Sequence, residues 1–564
     1  MAPIVPPPAA AADDRPPPAA APDAPPVLIA GAGPVGLCTA LTLARFGVPS
    51  VVLEAQAERD AAYFRTTGSK AICFQRDVLD VFDRLGAAER LLAEGTTWTT
   101  ARTFYREHEI RTVTFAGRAP AFTGELPPWI NISQARVEQE LMRAAAAEPL
   151  VALRFDSPVT GLAQDAGGVT VRTGGAAEGT HRGTHLVGAD GARSAVRGLL
   201  GIGFPGESYA DRFLICDIRA DLPFPKERRF YFDPAWNPGR QVLVHQCPDS
   251  TWRIDWQVPD DYDPEAEAGS GALEERIRRI VGDRPYEVVW SSVYRFHERC
   301  ADRLRAGRVF LAGDAAHLYA PFGARGLNSG VQDAENIGWK LAVARRLAGE
   351  RESEALLDSY ASERRSAALE NLAVTGATMR FLVPQDEAQW EVRRSTLERA
   401  ITDPAARESI DSGRLAVPHV YADSPLTSPA RPGVGGPVPG AICPDGPCRG
   451  PGGTGATRFR RLLGAGFTVL APDAAGAAAA ASAVAGLPVP VRVHALDAID
   501  PDGRLTALLG GVPGAVYVLR PDAHLCAVLP DADPREVRAA VQRASGRRDP
   551  AEPGVAERAP APAP

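Results

Sequence analysis

The chain has 564 residues, enough for two or three domains with a large core. Hydrophobic residues make up 45% and charged residues 23%, the balance of a soluble globular protein. A net charge of -7 argues against nucleic acid or an anionic membrane as the main partner.

Residues 1–25 are almost entirely Ala, Pro and Asp. They lack the basic start and continuous apolar run of a signal peptide, so a disordered tail is expected. Val27-Leu28-Ile29-Ala30 then reads as a buried strand leading into Gly31-Ala32-Gly33-Pro34-Val35-Gly36. A helical pattern follows through Leu37, Ala40, Leu41, Ala44 and Phe46, with Gly47 placed to end it. The strand Ser50-Val51-Val52-Leu53 and Glu54 complete the unit. This is a dinucleotide fingerprint in its required strand–turn–helix–strand–acid setting. Gly31 permits the tight turn, Gly33 lets backbone approach a pyrophosphate, and Gly36 allows close helix–strand packing. Glu54 can accept from ribose hydroxyls, and an acid there disfavours a 2′-phosphate. The glycines alone would also suit a turn with no ligand; the flanking strands and Glu54 favour the nucleotide.

Residues 186–197 read as a strand, a turn at Asp190-Gly191 and a helix begun by Ser194 and Arg197. Residues 211–290 alternate as strands, among them Arg229-Phe230-Tyr231-Phe232 and Gln241-Val242-Leu243-Val244-His245. In Trp252-Arg253-Ile254-Asp255-Trp256-Gln257 the alternation puts Arg253 and Asp255 on one face and the two tryptophans with Ile254 on the other. One face is expected to pack a core and the other to line a polar cavity. Tyr231, His245, Arg253 and Asp255 are the candidate substrate contacts. The plainer alternative makes Arg253 and Asp255 a same-face ion pair and His245 a satisfied structural residue.

An apolar strand at 308–312 runs into Gly313-Asp314-Ala315-Ala316-His317 and then Pro321-Phe322-Gly323-Ala324-Arg325-Gly326-Leu327-Asn328-Ser329-Gly330. Beyond it Val331, Ala334, Ile337, Leu341 and Ala342 share one helical face. Asp314 can accept hydrogen bonds from a polyol, and N–H groups at a helix start stabilise negative charge on a bound ring. Those are the needs of a flavin, with its ribityl hydroxyls and its anionic reduced ring.

Helical residues continue over about 332–381 and 387–411, followed by a Pro/Gly-rich stretch at 421–457. Phe467-Thr468-Val469-Leu470, Val491-Arg492-Val493-His494 and residues 515–522 read as strands, and residues 534–545 as a helix. Residues 547–564 are expected to be disordered. Eight scattered cysteines include no CxxC and no zinc-like spacing, which implies free thiols in a reducing compartment, the cytoplasm by default. No stretch reaches the roughly 18 uninterrupted apolar residues of a spanning helix.

A GxGxxG start, a GADGxRSxVR middle and a GDAAH…NSGxxDAxN end, in this order, resemble the single-component FAD-dependent aromatic hydroxylases. Gly68-Ser69-Lys70-Ala71-Ile72-Cys73-Phe74, Ile130-Asn131-Ile132-Ser133-Gln134 and the Trp252–Gln257 run are similar to the 3-(3-hydroxyphenyl)propionate hydroxylase-like branch. The resemblance covers residues 25–385 well and the remainder more weakly. It implies an α/β fold: a Rossmann-like FAD domain (26–205 and 291–385), an inserted substrate-binding β-sheet domain (206–290), a helical segment and linker (386–457), and a thioredoxin-like C-terminal domain lacking CxxC (458–546). Packing or homodimer contact, rather than dithiol chemistry, is the expected role of that last domain.

By the same resemblance Gly31, Gly33, Gly36 and Glu54 hold the ADP half of FAD, and Lys70 and Gln134 lie near the cofactor. Asp190 belongs to the motif shared by the FAD pyrophosphate and the passing nicotinamide cofactor. Asp314 takes the ribityl hydroxyls, and Gly326, Leu327 and Asn328 meet the N1–O2 edge of the ring. The sequence departs from the family at Gly323-Ala324-Arg325-Gly326, where relatives carry a Gly-Gln-Gly type turn. Arg325 there either favours an anionic flavin or points to solvent. The implied reaction is hydroxylation of a small phenolic or related aromatic substrate, with NAD(P)H and O2, through a flavin C4a-hydroperoxide and without a metal. The catalytic base is not identified; His245, His317 and Arg325 are the candidates. A tailoring oxygenase of a larger polycyclic or polyketide metabolite and a non-enzymatic FAD-binding protein stand as alternatives. The WxWxIP signature of halogenases is missing.

Overall fold

The computed structural model describes residues 25–547 apart from 69, 116–121, 123, 348, 411, 414, 451–454 and 465. Except for Pro25 and Arg547, the tails expected to be disordered lie outside the described residues, as does Ser69. The chain divides into two compact units, residues 1–338 with 364–418 and residues 339–363 with 419–564.

The first unit is built on a six-stranded sheet in the order Arg305–Ala306, Val309–Leu311, Leu186–Gly188, Val27–Ala30, Ser50–Leu53, Val151–Arg154. All neighbours are parallel except the first pair. Val27–Ala30 is central and buried along its whole length, which is why it reads as an unbroken apolar run rather than an alternation. The helix Pro34–Arg45 starts with proline, whose missing N–H costs nothing at that position, and the chain turns at Gly47 with φ 74°.

An eight-stranded sheet forms the other half of this unit. Its order is His317–Leu318, Tyr286–Cys300, Gly206–Ala220, Thr251–Val258, Gln241–Gln246, Glu227–Phe232, Thr100–Tyr105, His108–Thr114. The sheet expected over 206–290 is therefore larger. Thr100–Tyr105 joins it by parallel pairing with Glu227–Phe232, a long-range contact that local periodicity does not encode. On one face Cys216, Val242, Trp252, Ile254 and Trp256 pack around Ile277 and Val281 of the helix Ala272–Val281. On the other face Phe213, Phe230 and Phe232 gather around Phe322 of the glycine-rich loop and Met379 and Leu382 of a long helix. The Phe213 and Phe322 rings are 5.8 Å apart, and those of Phe296 and Phe322 6.0 Å. Each aromatic ring buried there removes on the order of 150–250 Å² from water.

The expected helical run over 332–381 is two helices, Gly326–Ala344 and Glu350–Leu382, broken around Gly349. Residues 387–411 likewise form two helices, Glu387–Ala400 and Pro404–Glu408.

The second unit carries a four-stranded sheet in the order Val491–Ala495, Phe467–Ala471, Val516–Leu519, Leu525–Leu529, flanked by the helices Ala474–Val484 and Pro534–Ala544. The first two strands are parallel and the remaining pairs antiparallel, the strand order and polarity of a thioredoxin-like core. The strand expected over 515–522 stops at Leu519. Arg520 and Asp522 instead turn into a buried ion cluster in which Arg520 binds Asp522 at 2.5 Å and Glu363 at 2.6 Å, and Lys340 binds Glu363 at 2.6 Å. The strand Leu525–Leu529 went unanticipated, being an apolar run too short to separate from its neighbour by pattern alone. All eight cysteines are free and buried. Among the described residues no helix is long and apolar enough to cross a membrane.

Candidate flavin site and the adjoining sheet face

Three motifs distant in sequence meet because their strands lie side by side and parallel. Ala30 is in register with Gly188, and Gly188 with Leu311, so the turns that follow all emerge at the same edge. Ala189 N donates to Ala30 O at 2.8 Å and Ala312 N to Gly188 O at 2.9 Å, extending the ladder into those turns. Strand order departs in opposite directions from Val27–Ala30, which makes this edge the crevice where open α/β sheets bind ligands.

The glycines divide the work by position. A Cβ on Gly31, whose φ is 99°, would sit 2.5 Å from Ala189 O, and one on Gly36 only 2.0 Å from Gly31 O. A Cβ on Gly33 would meet nothing within 4 Å, so there the backbone is open to an approaching group. The helix Pro34–Arg45 has neither a side-chain cap nor an acid in its first turn. Its leading N–H groups therefore favour an anion such as a pyrophosphate. Gly313 and Gly330 close against Val35, whose Cγ2 would lie 2.8 Å from a Cβ on either, joining the third motif to the first.

Glu54 accepts from Ala32 N at 2.7 Å and Gln56 N at 2.9 Å, which fixes its carboxylate at the turn. The Asp190 carboxylate is spent on the fold. It takes Ser194 Oγ at 2.5 Å and Val196 N at 3.0 Å, so the backbone behind it, rather than the side chain, supports Gly31. Asp314 differs from its buried neighbours Gly313 and Ala315 in being accessible. Protein nonetheless surrounds it and raises its carboxyl pKa, while Lys70 and His317 draw it back, as suits a carboxylate lining a cleft. Gln134 accepts from Ala71 N at 3.4 Å and donates to Glu138 at 2.8 Å, anchoring the segment that carries Lys70. These features fit FAD: an open glycine turn for the pyrophosphate, an acid for the ribose and an accessible carboxylate for the ribityl chain.

Gly326, Leu327 and Asn328 form the first turn of the helix Gly326–Ala344. The Asn328 side chain is not available to a ligand. Its amide oxygen accepts from Gln75 N at 3.0 Å, and its nitrogen donates to Cys73 O at 2.9 Å and Ala324 O at 2.6 Å. Only its backbone N–H remains for the flavin edge. Arg325 does not point to solvent: it is buried and donates to Asn371 Oδ1 at 2.5 Å.

His317 belongs to a buried cluster that residue patterns did not reveal. Its Nε2 lies 2.7 Å from Asp333 Oδ2, which also accepts from Gly313 N at 2.9 Å, while Arg364 Nε binds Asp333 Oδ1 at 2.5 Å. Burial raises the Asp333 pKa, but His317 and Arg364 more than reverse this and bring it to about 2. Asp333 thus locks the glycine turn, the helix behind it and the next helix together. The sequence signal was present as the aspartate of the NSGxxDAxN motif, without any hint of its partners.

The sheet face beside Phe322 is the candidate substrate wall. Tyr231 is on the opposite face, stacked on Phe104 at 4.8 Å, and is removed from the substrate set. The two-residue period of the strand puts it on the face opposite Phe230 and Phe232. Arg253 and Asp255 share the expected face but do not pair. Arg253 instead makes a two-pronged bond to Asp217 at 2.5 and 2.8 Å, and its Nη1 reaches Lys70 O at 3.3 Å. His245, directly opposite Arg253, and Asp255 are half-buried polar residues of this face. Buried Arg228 is held by both the hydroxyl and the carbonyl of Ser412. Lys70 links the two halves: it pulls on Asp314, its carbonyl holds Arg253, and its ammonium stands 4.6 Å from the Tyr294 ring.

A largely parallel nucleotide-binding sheet whose three glycine-rich turns fit FAD, joined to a broad, mostly antiparallel sheet, defines a flavoprotein oxidoreductase. Residues 24–375 match the family described as FAD binding domain, and the chain belongs to it, among the FAD-dependent aromatic hydroxylases. It is 33% identical over 353 residues to a 3-(3-hydroxy-phenyl)propionate/3-hydroxycinnamic acid hydroxylase of Paraburkholderia xenovorans, covering 61% of this chain and about half, 53%, of that relative. It is 32% identical over 533 residues to the 6-methylpretetramide 4-monooxygenase of Streptomyces rimosus, covering 90% of this chain and 91% of that one. A flavin-dependent monooxygenase crystallised with FAD and substrate superposes with a TM-score of 0.77 at 25% identity, covering 94% of this chain and all (100%) of the other.

Proposed function

We propose that the protein hydroxylates a phenolic ring using NAD(P)H and O2. Bound FAD would supply the electron transfer and, at its C4a carbon, the electrophilic oxygen. The protein's share is to cradle the pyrophosphate at Gly33, hold the ribityl chain at Asp314 and present the ring to a closed sheet face. No second glycine fingerprint with a strand setting exists in the sequence, so the nicotinamide donor would visit without a domain of its own. Eight buried free cysteines suit a reducing cytoplasm. The reading rests chiefly on His245 and Asp255, two half-buried polar residues of the sheet face beside the flavin loop.

A second reading, a larger polycyclic phenol as substrate, is favoured by one comparison and one contact set. The relative aligned along nine-tenths of both chains is named for a pretetramide. Both arginines of the wall are already engaged, Arg253 by Asp217 and Arg228 by Ser412, which suits a neutral phenol better than an aromatic acid. The test is NADH and NADPH oxidation by the FAD-loaded protein, with product analysis, across hydroxybenzoates, 3-(3-hydroxyphenyl)propionate and polycyclic phenols. Oxygenated product with a phenol is expected, and polycyclic phenols should lead. If no compound accelerates flavin reduction and no oxygenated product forms, the hydroxylase reading fails.

A further inference from the structure

Asp255 and His245 lie on neighbouring strands and the same face as diagonal neighbours two residues apart in register, since Asp255 is opposite Leu243 and His245 opposite Arg253. Each has a buried polar atom without a hydrogen-bond partner, Asp255 Oδ1 and His245 Nδ1. Two such atoms on one sheet face are costly unless something else satisfies them. The groups facing them are Arg253 on the same strand, Asp217 on the strand Gly206–Ala220 and Arg228 on the strand Glu227–Phe232. Asp217 neutralises Arg253, so Asp255 is not drawn into an ion pair.

We propose that Asp255 accepts the ring-hydroxyl proton of the phenol as it is hydroxylated, with His245 holding that hydroxyl in place. This rests on the phenol-hydroxylase reading above. In the step the substrate O–H bond breaks and a new O–H bond forms on the Asp255 carboxylate. The electron pair left on oxygen flows into the ring and raises its nucleophilicity toward electrophilic oxygen. When the ring regains aromaticity the proton of the hydroxylated carbon passes to water, and Asp255 returns its proton to the ring oxygen. Nothing is consumed beyond the reactants of hydroxylation itself.

The environment tunes both groups for this. Burial raises the Asp255 pKa to about 7 against the pull of Arg253, much nearer a phenol's value of roughly 10 than an ordinary carboxylate is. Burial, with Arg228 and Arg253, lowers the His245 pKa well below its usual value, so the imidazole stays neutral and can accept or donate a hydrogen bond. Arg228, on the same face and held by the uncharged hydroxyl and carbonyl of Ser412, supplies positive charge for a developing phenolate.

The test is Asp255→Asn in the FAD-loaded protein. The folded carboxyl is raised above its unfolded value, so its ionisation costs stability as pH rises from about 4 to 7; the variant should melt no lower than wild type at pH 8. Its phenol hydroxylation should fall by about 10²–10⁴-fold, and the acid limb of kcat/KM near neutral pH should vanish. The deficit should shrink for 4-nitrophenol, which gives up its proton readily. Activity within threefold of wild type with the acid limb intact overturns the proposal while leaving the hydroxylase reading standing. If wild type hydroxylates none of the phenols, that reading fails, and the inference is then judged on bound 4-nitrophenol. Its visible titration midpoint should move by about one pH unit or more between wild type and variant; equal midpoints, or no binding to either, overturn it.

Discussion

Gly33 and Gly36 are three residues apart, yet they answer to different demands. Gly36 is required by the apoprotein, because any Cβ would lie 2.0 Å from Gly31 O, a backbone atom that cannot swing aside. Gly33 meets no such demand from the protein, because a Cβ there touches no protein atom within 4 Å and its φ of -72° suits any residue, so the demand we propose there is a ligand's. Gly36→Ala is therefore expected to destabilise the apoprotein by about 1–3 kcal/mol or more, read as a lower melting temperature without FAD. Gly33→Ala should leave that melting temperature unchanged and weaken FAD binding about tenfold, roughly 1.4 kcal/mol. Equal behaviour of the two variants in both measurements would refute this division. The tight packing at Gly31 and Gly36 could be read from the sequence because it is a backbone property, and a glycine pattern between two strands reports backbone geometry directly. Side-chain roles were less legible. Asp190 and the Asn328 amide stand in the expected motifs, but their hydrogen bonds go to the protein, which only the folded turn reveals.

At the scale of elements the flavin turn is held by a buried carboxylate. Asp333 reaches Gly313 N, His317 and Arg364, and so ties the turn at Gly313 to the helices Gly326–Ala344 and Glu350–Leu382. Its pKa of about 2 lies below the unfolded value of roughly 3.9, so its contribution to stability is present above pH 4 and lost as pH falls toward 2. Asp333→Ala removes one member of a buried ion cluster and is expected to cost about 3–5 kcal/mol at neutral pH. Asp333→Asn should show a flatter loss of stability between about pH 4 and 2 than wild type, measured by denaturant melts along a pH series. Identical slopes would mean that the cluster does not carry the charge assigned to it. The helix itself was legible from Val331, Ala334 and Ile337, but its buried charged partners were not. A pattern of apolar positions marks the face that packs and is silent about which polar residue on another face is also enclosed. The same limit separates Tyr231 from His245: alternation sorts residues into two faces, and only the location of Phe322 and of the helix Ala272–Val281 decides which face is the wall.

At the scale of the molecule, a thioredoxin-like sheet invites a dithiol function that its chemistry does not support. The sheet carries Cys526 on the strand Leu525–Leu529, and Cys443 and Cys448 pack in the same core, yet no two cysteines are paired. Burial pushes the thiols of Cys73, Cys216, Cys247, Cys443, Cys448 and Cys526 up to about 12, and Cys38 further. A thiol is nucleophilic only as thiolate, so these sulfurs are inert while the fold is closed. What organises the second unit is instead the charge-balanced set Lys340, Glu363, Arg520 and Asp522, capped by Trp339 Nε1 donating to Asp522 at 2.9 Å and Ser424 Oγ to Glu363 at 2.5 Å. A catalytic dithiol must be exposed to its partner, whereas a core of this kind must stay shut. Thiol-reagent titration of the native protein at pH 8 is therefore expected to label little or nothing and to leave FAD binding intact, while all eight cysteines should react after denaturation. Rapid native labelling of Cys443, Cys448 or Cys526 would show that this core opens, and would return a redox role to the C-terminal sheet.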